Sequence, residues 1–379
     1  MAETVSHHNV LKERFERVFK GDPVIWFVVF ALAIFSILTV YSAAGTLAFK
    51  KHHGNTEYFL AKQLIFVIVS LFVMWLAHLV DYRYYSKISR FALILSVPFL
   101  LYSFFFGSTI NDASRWLTIP LINQTFQPSD LAKFALITNL AAMLAKNQSD
   151  IEDIKKTLIP ILLWSGAVCG LIALSNMSTA IMMAATCFLL MFIGRVPFKY
   201  LGMLFLVVVL AFSLALAFGQ RWKTFYNRLA SFTQTEIPFQ LEQSYIAIST
   251  GGITGKGPGN STQRNFLPHP YSDFIFAIVV EEYGLLGGVT VIGLYLLLLY
   301  RGMLTVANSQ RAFGGLLSAG LSFLIVIQAM INMGVAVGLG PITGLPLPLL
   351  SMGGTSLLFT GVSIGIILSV SRGEGAEEN

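Results

Sequence analysis

The sequence is short of charge and of cysteine. Of its 379 residues only 12% are Asp, Glu, Lys or Arg, about half the share of an ordinary soluble domain. The two cysteines, Cys169 and Cys187, both lie inside apolar runs, which excludes a disulfide framework and leaves them as small core-filling residues. Histidine is no more promising. His7–His8, His52–His53, His78 and His269 show no metal-ligand spacing, so no structural metal follows. A nucleotide P-loop is absent too, because "GGITGKGPGN" lacks the G-K-[ST] ending, and nothing in the composition asks for a nucleic-acid partner. What the chain has in quantity is hydrophobic residues, 55% of the total, with a mean hydropathy of +0.71. Apolar runs of roughly 20 residues recur from end to end, the pattern of an all-α polytopic membrane protein.

Ten runs read as spans: 24–44, 61–80, 89–106, 130–146, 157–174, 177–194, 199–219, 273–300, 312–337 and 350–371. The fifth and sixth are separated only by Ser175 and Asn176. Residues 1–23 form a polar, basic segment, and the run after it is too long for a signal-peptide core, so it reads as an uncleaved first span. Connections on the N-terminal side hold 15 of the 25 Lys and Arg residues. That bias predicts both termini, including the tail 372–379, in the cytoplasm. The longest connection, 220–272, then lies outside the cell, with Arg221, Lys223, Arg228, Lys256 and Arg264 against Glu236 and Glu242. A basic exterior loop reflects either the topological tolerance of long loops or an anionic substrate such as a lipid diphosphate. Its glycines either bring backbone amides close to phosphate or simply make the loop flexible.

Acidic residues in the apolar runs are the next signal. In "LPHPYSDFIFAIVVEEYGLLGG" (267–288), Asp273 sits at the predicted outer rim. It serves there as a helix-dipole cap or as a general base. Glu281 and Glu282 lie about 12 Å deeper and about 80° and 180° around the predicted helix, so they are expected to anchor helices or line a cavity. In "QTFQPSDLAKFAL", Pro128 suits a first helical turn, and Asp130 and Lys133 share a face. They form either a self-neutralising pair or part of a site. Upstream, Arg115 could clamp a diphosphate and Trp116 could anchor at the interface. "GLGPITGLPLPLLSMGGTS" cannot be a plain helix, and irregular backbone at membrane depth belongs around a cavity.

These stretches carry a resemblance. "RWLTIP…FQPSDLAKFAL", "STGGITGKGPGNSTQRNFLPHPYSDFIFAIVVEEYGLLGG" and "GPITGLPLPLLSMGGTSLL" resemble the three signature regions of the SEDS family, over residues 24–371. The resemblance implies a ten-helix peptidoglycan glycosyltransferase of the bacterial cytoplasmic (inner) membrane. Such an enzyme polymerises lipid II onto a growing glycan strand, beside a class B penicillin-binding protein and other divisome or elongasome proteins. It implies Asp273 as the catalytic carboxylate, opening the family's D-F-I-F motif. Arg115, Trp116, Gln127, Ser129, Asp130, Lys133, Gln243, Lys256, Gln263, Arg264 and Ser351 are then the substrate-binding candidates, with Arg115, Lys133, Lys256 and Arg264 favoured around the leaving diphosphate. Glu281, Glu282, Pro346, Pro348, Gly353 and Gly354 shape the cavity. No metal ligand is certain, and the family leaves room for a divalent cation, Mg or Mn.

This chain departs from the family pattern at three points. Asp130 stands where a glutamate is usual, Asn176 replaces a Pro-Asp pair, and Met352 replaces an aromatic. Any role of that missing aspartate cannot be carried over. Two other readings compete with the enzyme: a flippase for the lipid-linked precursor, and a non-catalytic recruiter of the penicillin-binding protein. The wording of the second signature leans towards the division member of the family.

Overall fold

A computed structural model describes residues 20–45, 56–110, 113–119, 124–218, 226–227 and 237–375. His7, His8, His52, His53, Arg221, Lys223, Arg228 and Glu236 lie outside the described residues, as do most of segment 1–23 and the last four residues. The long helices are α1 (Pro23–Ala43), α2 (Thr56–Leu79), α3 (Tyr85–Phe106), α4 (Pro128–Lys146), α5 (Ile159–Ser175), α6 (Met177–Ile193) and α7 (Phe198–Phe218). They continue with α8 (Phe239–Gly251), α9 (Ile275–Asn308), α10 (Ala312–Ala336) and α11 (Gly354–Gly375). Each predicted apolar run falls on a helix. By length and composition seven helices can cross a membrane among the described residues, and α6 is a shorter apolar one.

The helices start where local chemistry allows. Pro23 at the first turn of α1 follows Asp22, whose Oδ1 accepts from Val24 N at 2.8 Å, a proline-plus-cap start. Pro128 opens α4 in the same way. The outer faces stay greasy, with Phe91 and Phe105 each 70% exposed, as expected of side chains whose solvent is lipid rather than water. Helix pairs approach through small residues. Gly361 and Gly365 of α11, four apart, leave no room for a Cβ against Ser70 O and Met74 O of α2, the small-xxx-small contact of membrane helices.

Polar ties mark the two ends of the bundle. At one end Arg301 of α9 pairs with Asp22 at 2.6 Å, and Ser371 Oγ accepts from Asp22 N at 3.1 Å. At the other, Ser42 near the end of α1 donates to Glu282. They are called the Asp22 end and the Ser42 end below.

Two expectations need correction. The chain is not all-α: β1 (Ser108–Ile110), β2 (Ala113–Ile119) and β3 (Gln124–Phe126) form an antiparallel sheet in the order β1-β2-β3, pairing Ile110 with Ala113 and Leu117 with Phe126. The described strand residues between the predicted spans 89–106 and 130–146 pair their backbone groups across this sheet. The span predicted from residue 273 is also not one rod. The helix begins at Ile275, and inside α9 Gly284 adopts φ 69°, ψ −169°, a conformation essentially restricted to glycine. There the chain folds back. A Cβ on Gly288 would lie 3.0 Å from Val280 Cγ2 and 3.5 Å from Phe276 Cζ, residues that a continuous helix would hold about 12 and 18 Å away. Glu281 and Glu282 therefore sit at the bend of a helical hairpin, beside Ser42, and not deep in a span.

Candidate functional site

A cleft of about 280 Å³ opens beside Asp273, between the sheet, the start of α4, the start of α6 and the proline-rich segment before α11. Its wall includes Trp116, Gln127, Asp130, Lys133, Tyr271 and Asp273. Asp273 belongs to a turn preceding α9, and its half-buried carboxylate accepts from Ser272 Oγ at 3.0 Å. Its Oδ2 faces Gly344, where a Cβ would approach to 3.6 Å and φ is +68°. No Lys, Arg or His nitrogen lies within 4.0 Å of this carboxylate among the described residues. Such a group can accept a proton or orient a hydroxyl. Tyr271 lines the same wall, and burial, followed by the Asp273 charge, pushes its phenol above the ordinary range. At neutral pH it is a hydroxyl donor.

The turn is held from the C-terminal side. Asn332 Nδ2 donates to Asp273 O at 2.9 Å and to Leu345 O at 2.7 Å. Ser351 Oγ donates to Ser272 O at 2.6 Å and accepts from Leu347 N at 2.8 Å. Met352 N donates to Tyr271 O at 2.9 Å. The proline-rich stretch is thus a cradle for residues 271–273, and it explains why irregular backbone survives there. Ser351 is a buttress of this cradle. Pro346, Gly353 and Met352 line the cleft, Pro348 O accepts from Tyr295 of α9, and Gly354 abuts the Phe66 ring.

Across the cleft, Lys133 Nζ lies 2.9 Å from Asp130 Oδ1, with both residues buried. Thr355 Oγ1 donates to Asp130 Oδ2 at 3.1 Å, and Lys133 Nζ donates to Gln328 Oε1 at 3.1 Å. Gln328 in turn donates to Pro346 O at 2.8 Å. Two amides four residues apart on α10, Gln328 and Asn332, therefore connect the cation pair to the backbone of the Asp273 turn. The aspartate in place of glutamate keeps the pair intact. Gln127 Nε2 donates to Ser129 Oγ at 2.8 Å beside it.

Lys256, Gln263, Arg264 and Gln243 do not join this cleft. Lys256 pairs with Glu281 at 2.5 Å, and Glu281 also accepts from Thr262 N at 3.0 Å and from Ser261 Oγ. Arg264 donates to Ser42 O at 3.2 Å, and Gln263 N donates to Glu281 Oε2 at 3.3 Å. Glu281 and Glu282 thus pin the glycine loop onto the helical hairpin and α1. Gln243 is half-buried on α8, away from the cleft wall. Arg115 lies in β2. Residues that the sequence reading missed include Asn176, which caps α6 through Thr179 N at 3.3 Å, together with Thr179, Tyr271 and Thr355 on the wall and the two α10 amides. Polar residues at positions i and i+4 in the apolar run 312–337 were the available signal for the amides. No three His, Cys, Asp or Glu side chains converge as a metal site among the described residues. A cation arriving with a diphosphate would meet Asp273, a carboxylate without an ion pair among the described residues, which suits Mg²⁺ held largely by substrate and water.

The cell cycle protein family of FtsW, RodA and SpoVE matches residues 22–375. The chain belongs to that family. It is 34% identical over 366 residues to the "probable peptidoglycan glycosyltransferase FtsW" of Geobacter metallireducens, covering 95% of this chain and 97% of that one. Among solved structures, a chain of a peptidoglycan synthase complex that coordinates polymerization and crosslinking superposes with a TM-score of 0.71 at 25% identity, covering 93% of this chain and 98% of that one. The rod shape determining protein RodA of Thermus thermophilus gives 0.68 at 26% identity, over 93% and 97%. In this family member the Asp273 cleft and the Asp130–Lys133 pair face each other.

Proposed function

We propose that this protein is a peptidoglycan glycosyltransferase that polymerises lipid II, with Asp273 as the base or orienting carboxylate. One observation carries the site assignment: a carboxylate with no ion-pair partner among the described residues shares an open cleft with a buried, hydrogen-bonded lysine. Glycosyl transfer from a lipid diphosphate needs both kinds of group. The acceptor sugar's 4-hydroxyl loses a proton to Asp273 as its oxygen attacks the donor's anomeric carbon. The polyprenyl diphosphate leaves from the opposite face, converting an α into a β linkage. Negative charge grows on that leaving group, and a fixed cation in a poorly hydrated cleft stabilises it without reorganising. Lys133 fits this role, with Arg115 on the adjoining strand. Relatives named as peptidoglycan glycosyltransferases over nearly their whole length support the reaction class.

In this reading the helices make ten spans, both termini lie in the cytoplasm, and the Ser42 end faces the outside of the inner membrane. A class B penicillin-binding protein is the partner that cross-links the product, and FtsW-named relatives favour the division role. Purified protein with that partner and labelled lipid II tests the proposal. Wild type should make glycan chains, and Asp273→Ala should make none while remaining folded. Equal polymer from both would remove Asp273 from the chemistry.

A further inference from the structure

A second cleft, of about 810 Å³, opens at the Asp22 end of the bundle. Asp130 lines the first cleft and Lys146 the second, sixteen residues along α4, or about 24 Å apart. Arg83, Lys87, Arg90, Lys146, Lys156 and Arg311 line this second wall, and among the described residues no carboxylate does. They come from the turn before α3 and the start of α3, the last turn of α4, the turn before α5 and the residue ahead of α10. Their convergence is therefore not the periodicity of one basic helix face. Among the described residues only Arg83 has an acidic partner, Asp81 at 3.9 Å on the exposed rim. No carboxylate comes within 4.0 Å of the other five among the described residues.

Two independent features also ask for a ligand. Asn139 is only 5% exposed and lines the cleft, yet its side-chain amide makes no hydrogen bond to the protein among the described residues. Its polar atoms are not among the fully enclosed ones; they open onto the cleft and can bond whatever enters it. The N-terminus of α10 opens into the same space. Ala312 and Phe313 line it, and the N-cap residue Arg311 makes no side-chain capping bond. The first N–H groups of a 25-residue helix, with the positive end of its dipole, form a ready anion cradle.

We propose that this cleft binds the phosphate groups of a diphosphate-class anion, presented by the headgroup of an anionic phospholipid. Its size suits two phosphates and a linker. Beside the cations, Ile88, Phe91 and Ile159 are 47%, 70% and 48% exposed, an apolar flank on which acyl chains can lie. Basic pockets between membrane helices take anionic headgroups in this way. The site is remote from the proposed glycosyl transfer and does not depend on it.

The test uses the full chain in detergent, with cardiolipin or inorganic diphosphate as the added probe and native mass spectrometry as the readout. Wild type should retain one cardiolipin. Arg90→Gln combined with Lys146→Gln should weaken retention about 25-fold, at roughly fivefold per cation near a membrane surface. Arg90→Lys with Lys146→Arg should keep binding, which separates charge from misfolding. Lys155→Gln, exposed but off the cleft wall, should leave binding unchanged. Diphosphate bound by wild type and lost in the double variant, without lipid binding, would keep the site and make its source soluble. Binding of neither probe by wild type, no loss in the double variant, or equal loss in Lys155→Gln overturns the proposal.

Discussion

Gly284→Ala is a perturbation whose sign depends on the fold-back in α9. In a continuous apolar helix, replacing glycine with alanine stabilises by about 1 kcal/mol through helix propensity. At Gly284 the expected sign is reversed. The φ of 69° and ψ of −169° lie in a region that costs a side-chain-bearing residue about 1–3 kcal/mol. A Cβ there also meets the backbone of Ile253 and Gly255, and displacing a packed neighbour costs about another 1–3 kcal/mol. The expected loss is about 4 kcal/mol, close to three decades in the folded-to-unfolded ratio. Gly293 supplies the control: it lies in the same helix beyond the bend, and a Cβ there meets nothing within 4 Å. Gly293→Ala should therefore be neutral or stabilising by up to about 1 kcal/mol. Equilibrium denaturation in detergent micelles, followed by tryptophan fluorescence, measures both. A Gly284→Ala protein at least as stable as wild type would refute the hairpin and restore the straight span.

The remaining predictions concern the ion pairs. Lys133→Met leaves Asp130 buried without its cation and should cost about 3–5 kcal/mol, while Asp130→Asn/Lys133→Met should recover much of that loss in a double-mutant cycle of unfolding midpoints. Additive single effects would mean that the pair is not coupled. Glu281→Gln keeps the shape but replaces an acceptor that serves Lys256, Ser261 and Thr262, each charge-assisted bond contributing about 1.5–3 kcal/mol. Amide hydrogen exchange over residues 256–264 should then accelerate by at least about tenfold, because 1.4 kcal/mol is one decade. An unchanged exchange rate would mean that the loop is held by something else.

Much of the helical framework was legible in the sequence, because a membrane demands long apolar runs and penalises interruptions. The Asp130–Lys133 pair was legible for a similar reason: i,i+3 spacing decides it locally. The fold-back was not. "EEYGLLGG" keeps its apolar composition through the bend, and glycine tolerates both a straight helix and the conformation that breaks it. Placing Glu281 and Glu282 deep in a span failed because the helix that carries them reverses at Gly284, just beyond them. The sheet was hidden for a different reason: its strands, Ser108–Ile110 and Gln124–Phe126 among them, are three to seven residues long, too short for alternation to register. Separating Lys256 and Arg264 from the Asp273 cleft required three-dimensional contacts, since every one of these residues falls within the same signature stretch.

The supports of Asp273 carry a consequence for biosynthesis. Its carbonyl rests on Asn332 and its neighbour Ser272 on Ser351, 59 and 79 residues later in the chain. A ribosome delivering helices one after another therefore releases the Asp273 turn long before its cradle exists. The cleft is completed only when α10 and the segment leading into α11 are in place, so a chain ending before Asn332 lacks both supports of the turn.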